Sequence, residues 1–176
     1  MPVLMIATYC EDGSVDVMNM AWGGICGNNK VALNITESHK TSKNIKERGT
    51  FTISVADIPH LEESDYFGTA SANRVKDKFE KSGMHAVKSE RVDAPIIEEY
   101  PITLECKVSK IYNDDEGFRV VGEIVNVLVD EEVLDSNGKV DPTKLNAFVF
   151  DQFQNGYYAI GEKVGEAWKS GNKYMK

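Results

Sequence analysis

The chain has 176 residues, 41% hydrophobic and 27% charged, a size at which one domain buries roughly 70% of the unfolded chain's surface and builds a real core. With 20 Lys and Arg against 28 Asp and Glu, the net charge of -8 argues against a phosphate-backbone binder, whose affinity comes from cations, so nucleic acid is not an expected partner. No apolar run approaches the roughly 20 residues that cross a bilayer, and the start through Ile6 carries neither a basic segment nor a cleavage site; a soluble, cytoplasmic protein without membrane partners is expected.

Residues 3–9 form an apolar run, followed by Glu11-Asp12-Gly13-Ser14 and a second run over 15–22, the pattern of a hairpin. Residues 30–36 alternate, with Val31, Leu33 and Ile35 on one face and Ala32, Asn34 and Thr36 on the other. The segment 41–49 is predicted to hold a short helix, with Thr41 as candidate N-cap, cations in the last turn and Gly49 just beyond the helix. Residues 51–55 return to strand. The stretch 57–82 reads as two helical pieces broken at Gly68, the second over 73–81, ending at Gly83.

After turns near Pro95 and Pro101, Ile102, Leu104, Cys106 and Val108 alternate with polar residues, the clearest strand of the chain. The acidic turn 113–117 and a long strand over 118–129 complete a second hairpin. From Asp130 the chain carries a turn at Ser136-Asn137-Gly138, a helix start at Asp141-Pro142, and two aromatic stretches, 148–150 and 157–161. Strands without alternating crossover helices favour a mainly β fold with peripheral helices, its antiparallel sheet closing into a barrel. Residues 1–176 are expected to be a single domain, with 130–176 a tail packing on the barrel or on a second subunit.

His39, His60 and His85 fall at no metal-gathering spacing, and no nucleophile elbow or Cys/His motif is present; neither a metal site nor hydrolytic residues are expected. The odd number and wide spacing of Cys10, Cys26 and Cys106 argue against disulfides, and each reads as a small buried hydrophobe. The run Thr36, Ser38, His39, Lys40 and Thr41 combines hydroxyls, a cation and a helix start, which suits either an anion site or an ordinary capped helix. Ser71, Asn73, Arg74, Lys76 and Lys78 read as an exposed basic helix. In the stretch 19–27, Trp22 precedes small residues that let backbone approach a flat ligand; Trp22 itself reads as a core or interface residue.

The succession Val17-Met18-Asn19-Met20-Ala21-Trp22-Gly23-Gly24, Glu37-Ser38-His39-Lys40-Thr41, and Tyr66-Phe67-Gly68-Thr69-Ala70-Ser71 with Asp77-Lys78-Phe79 resembles the flavin reductase-like, flavoredoxin-type family. The ending 156–162 is also similar to that family's. The resemblance implies an antiparallel FMN-binding split β-barrel, a homodimer and FMN as cofactor. It implies that Asn19, Met20, Ala21 and Trp22 line the isoalloxazine. Thr36, Ser38, His39, Lys40 and Thr41 would hold the phosphate, and Gly68, Ser71 and Lys78 would close over the flavin. Departures from the pattern include Ala72 where glycine is common after Ser71, and His39-Lys40 where an arginine is frequent.

In such a protein the cofactor carries the redox chemistry, so binding residues rather than catalytic ones are expected. The implied activity is NAD(P)H-dependent flavin reduction, with NADH or NADPH as donor. The alternatives are an FMN-binding electron carrier reduced by a redox protein partner, and a barrel that has lost its flavin. Cys26 is expected as a buried apolar contact near the ring.

Overall fold

The computed structural model describes residues 1–114 and 117–175; Asp115 and Glu116 of the predicted acidic turn lie outside the described residues. The first hairpin is β1 (Leu4–Tyr9) and β2 (Val15–Met20), in register from Leu4↔Met20 to Tyr9↔Val15. A strand that the sequence pattern hides, β3 (Gly23–Gly27), follows and pairs with β4 (Lys30–Ile35). Next come α1 (Lys40–Arg48), β5 (Thr50–Val55), α2 (Leu61–Thr69) and α3 (Lys78–Ser82). The short pair β6 (Ala86–Lys88) and β7 (Pro95–Ile97) leads to the long hairpin β8 (Ile102–Asp114) and β9 (Gly117–Val129). The last hairpin is β10 (Phe148–Asp151) and β11 (Gly156–Ala159).

Seven strands make one antiparallel sheet in the order β2-β1-β5-β8-β9-β4-β3. Met18 and Met20, from one margin of that sheet, share a buried cluster with Val31, Leu33 and Ile35 near the other. Only a curled sheet brings them together, so the strands form a split barrel with this cluster inside. Alternation along β1 sends Leu4 and Ile6 into the barrel, while Met5 and Ala7 join Phe67 of α2 and Phe79 of α3 in a second cluster outside it. Burial on both faces is why residues 3–9 read as an unbroken apolar run.

Three helical expectations are corrected. Helix α2 runs through Gly68 to Thr69, and the second piece is confined to Lys78–Ser82, with turns between. Helix α1 is capped by His39 rather than Thr41, whose hydroxyl is used elsewhere. The Asp141 side chain accepts from the Thr143 amide (2.9 Å), closing a turn that does not propagate. The aromatic stretch after it holds β10 against the barrel: Val149 bridges to Pro2, and the Tyr157 hydroxyl donates to Asp65 on α2 (2.8 Å). Beyond it, Val164, Trp168 and Tyr174 are exposed. No described helix is long and apolar enough to cross a membrane.

Candidate functional site

The end of β4 sets the site. After Ile35 the chain turns, with the His39 amide donating to the Thr36 carbonyl (3.1 Å) and the Ser42 hydroxyl donating to that same oxygen (2.7 Å). The first bond of α1 runs from the Lys43 amide to the His39 carbonyl (3.2 Å). The amides of Lys40, Thr41 and Ser42 therefore have no acceptor within the helix, and the positive end of the helix dipole lies here. Lys40 and Thr41 form part of the wall of a small inner pocket of ≈ 100 Å³, which Asp16, Ser71, Ala72 and Lys78 also line.

A larger cleft of ≈ 490 Å³ adjoins it; Met18, Asn19, His39 and Gly68 belong to both. The cleft is apolar at Met18, Met20, Ile35 and Phe118. Its rim is a row across adjacent strands, with Tyr112 opposite Arg119 and Arg119 opposite Asn34. The Arg119 Nε donates to Asn34 Oδ1 (2.8 Å), and the Asn34 amide donates to the Trp22 carbonyl (2.9 Å), which joins the row to the β2–β3 corner. Asn19 is fixed from the other side, its Nδ2 donating to the Ser64 carbonyl of α2 (2.9 Å). A Cβ on Gly68 would come within 3.2 Å of Asn19 Cβ, so this close approach of helix to strand suits glycine.

Asp16 and Lys78 give the inner pocket its electrostatics. Asp16 is 2% exposed, and its Oδ2 accepts from the Thr41 hydroxyl (2.6 Å). Burial pushes its carboxyl pKa up, opposed by the Thr41 hydrogen bond and by Lys78. Lys78, expected on an exposed basic helix, is 3% exposed, and its Nζ donates to the Phe67 carbonyl (2.9 Å). Phe79 beside it packs into the outer cluster, which draws this end of α3 inward. Burial lowers the Lys78 pKa, with Asp16 acting in the opposite sense. The His39 imidazole is lowered by partial burial and then by Lys78.

Of the sequence-predicted residues, Asn19, Met20, Trp22, Thr36, His39 and Gly68 line the cleft. Lys40, Thr41, Ser71 and Lys78 line the inner pocket. Ala21 is buried and forms no part of either wall, and Ser38 lines neither, its carbonyl accepting from Asn73 Nδ2 (3.0 Å). Trp22 is 53% exposed at the cleft, its ring 6.0 Å from that of Phe150. Cys10 and Cys106 are buried, whereas Cys26 is exposed on β3, which lies at the sheet's margin and leaves Cys26 uncovered. Asp16, Asn34, Tyr112 and Arg119 were not foreseen. The polar face of residues 30–36 hinted at Asn34, but only the β4–β9 register reveals Arg119 beside it. Among the described residues, no group of three or more His, Cys, Asp or Glu side chains could hold a metal ion.

Residues 1–147 match the family described as flavin reductase-like domain. The chain belongs to this family. Its fold is similar to that of the flavoredoxin of Desulfovibrio vulgaris (Miyazaki F), at 33% identity over 97% of this chain and 92% of that one, with TM-score 0.91. It is also similar to a flavoredoxin from Methanosarcina acetivorans, at 25% identity over 99% and 92% of the two chains, with TM-score 0.90. An uncharacterized protein of Archaeoglobus fulgidus is 36% identical over 93 residues, 53% of this chain and 52% of that protein; the match spans about half of that relative's length. The family gives the chain a flavin-related function and supports a flavin cofactor. The residues present fit such a group: the cleft lies within the roughly 300–1,000 Å³ of small-molecule sites, its floor is apolar, and the adjoining pocket supplies cations and free helix amides.

Proposed function

We propose that this protein is an FMN-binding oxidoreductase acting as an NAD(P)H-dependent flavin reductase. One observation carries the reading: an apolar cleft continuous with a pocket that holds two lysines and a helix N-terminus. That combination suits a flat ring joined to an anionic tail. When bound, FMN supplies hydride acceptance from a nicotinamide and onward electron transfer. Met18, Met20 and Phe118 offer the ring an apolar floor, and the half-exposed Trp22 shields one side of it. Lys40, Lys78, Ser71 and the amides of Lys40 to Ser42 serve the phosphate, whose dianion is favoured by ammonium groups and by the helix dipole. Thr41 serves through its amide, because its hydroxyl is donated to Asp16. No side chain is assigned as acid or base.

The test is an absorption spectrum of the purified protein with FMN, followed by NADH or NADPH without oxygen. Bleaching of the flavin bands by either nicotinamide is expected. Bands that persist until a chemical reductant is added would favour the second reading, an FMN-holding electron carrier reduced by a protein partner, to which the likeness to two flavoredoxins lends weight. Protein that ignores FMN altogether would overturn both.

In the same reading the chain works as a homodimer in the cytoplasm. Val125 and Val127 of β9 are exposed, as are Val164, Trp168 and Tyr174 near the chain's end, apolar side chains suited to contact with a second copy. Three free cysteines suit a reducing compartment. Light scattering should give the mass of two chains; the mass of one would remove the dimer.

A further inference from the structure

The inner pocket contains a group that a phosphate site does not need. Asp16 lines it beside Thr41, whose hydroxyl donates to the Asp16 carboxylate, and lies on the strand that also carries Met18 and Asn19 of the ring cleft. A carboxylate offers about four acceptor positions, yet among the described residues the Thr41 hydroxyl is the one hydrogen-bond donor that reaches this carboxylate. Among the described residues it forms no ion pair: Lys78 Nζ donates to the Phe67 carbonyl, and the charges of Lys78, Lys40 and His39 act on Asp16 from a distance. Burial raises its pKa, against the Thr41 hydrogen bond and the cations around it.

Whatever lies against Asp16 must therefore donate hydrogen bonds. A phosphate dianion cannot do so, and like charge would repel it. The phosphate is better served by Lys40, Lys78, Ser71 and the amides of α1, which line the same pocket. Between a ring in the cleft and a phosphate at those amides, the chemistry that suits a buried acceptor is a chain of neutral hydroxyls. We propose that Asp16 is a specificity-determining residue that accepts hydrogen bonds from the polyol chain of the flavin, so that the pocket selects flavins carrying hydroxyls between ring and phosphate. The proposal rests on the flavin reading above. It assigns Thr41 a positioning role, its hydroxyl holding the carboxylate in place.

The test compares three ligands, FMN, riboflavin and lumiflavin, the last having the ring with a methyl group in place of the polyol. Dissociation constants come from quenching of flavin fluorescence, for the wild-type chain, Asp16→Ala and Asp16→Asn. The wild type is expected to prefer riboflavin over lumiflavin by about tenfold or more, the size of a charge-assisted hydrogen bond. Asp16→Ala should reduce that preference to about twofold while leaving lumiflavin affinity unchanged. Asp16→Asn keeps the volume and one acceptor, so it guards against a folding failure; it should fall between the two for riboflavin and bind FMN no more weakly than riboflavin.

An unchanged riboflavin preference in both variants would overturn the proposal. So would an equal loss for all three ligands, which is the signature of a structural Asp16. A wild-type chain that binds none of the three would instead overturn the flavin reading, and this inference with it.

Discussion

Lys78→Met is expected to weaken FMN binding by about 10- to 100-fold while leaving riboflavin affinity nearly unchanged. A hydrogen bond to a charged group contributes about 1.5–3 kcal/mol, and each 1.4 kcal/mol is about a factor of ten. Lys78 is 3% exposed, so salt screens its contact less than that of a surface lysine. Methionine fills a similar volume; the Phe67 carbonyl loses its donor, a loss of about 1–3 kcal/mol that lowers Tm without preventing folding. Because burial lowers the Lys78 pKa from 10.5, its ammonium is lost at a lower pH than that of a surface lysine. FMN affinity should accordingly fall as pH rises through that lowered value, and the variant should lack this limb. Equal losses for FMN and riboflavin would take Lys78 out of the phosphate site. The companion variant Lys40→Glu reverses a charge at the half-buried start of α1; it should weaken FMN with the fold intact, and unchanged affinity would remove Lys40 from the site.

Phe51→Ala should reduce stability by about 3–5 kcal/mol, the range for emptying a fully buried aromatic site. Phe51 is 0% exposed inside the barrel and stands opposite Cys106 of β8. Its ring also reaches β9, where a Cβ added to Gly122 would lie 2.5 Å from Phe51 Cζ. The ring thus fills the space across β5, β8 and β9 that a smaller residue leaves empty, and backbone pairing prevents those strands from collapsing into it. Urea unfolding measures the loss. A change under about 1 kcal/mol would mean that the barrel closes without this contact.

Period-two alternation exposed β4 and the start of β8, and turn residues marked both long hairpins, because those signals lie within a few residues of one another. Strand β3 escaped, since Gly23-Gly24-Ile25-Cys26-Gly27 has neither alternation nor β-branched runs and owes its extended form to pairing with β4. Lys78 was misread because its burial depends on a carbonyl eleven residues away and on the packing of Phe79 against α2. Asp16 looked like part of an unremarkable strand; its meaning arises from Thr41 and from a pocket assembled by four separate segments. Family resemblance brought together Asn19, Lys40, Gly68 and Ser71, which no local pattern links. It passed over Arg119, which is tied to the site by its register with Asn34.

That same register has a kinetic side. Strand β4 acquires its neighbour β3 from the adjacent sequence, but its other margin waits for β9, whose Arg119 lies 85 residues beyond Asn34. On the ribosome, residues 30–36 emerge long before the segment that completes their wall, and closing so long a loop precedes any gain from the contacts it makes. The first hairpin, β5 and the helices around the inner pocket can assemble early, while the ring cleft comes last. A nascent chain would therefore present the phosphate end of the site before the ring end, with the open margin of β4 exposed in the interval to pairing with other chains.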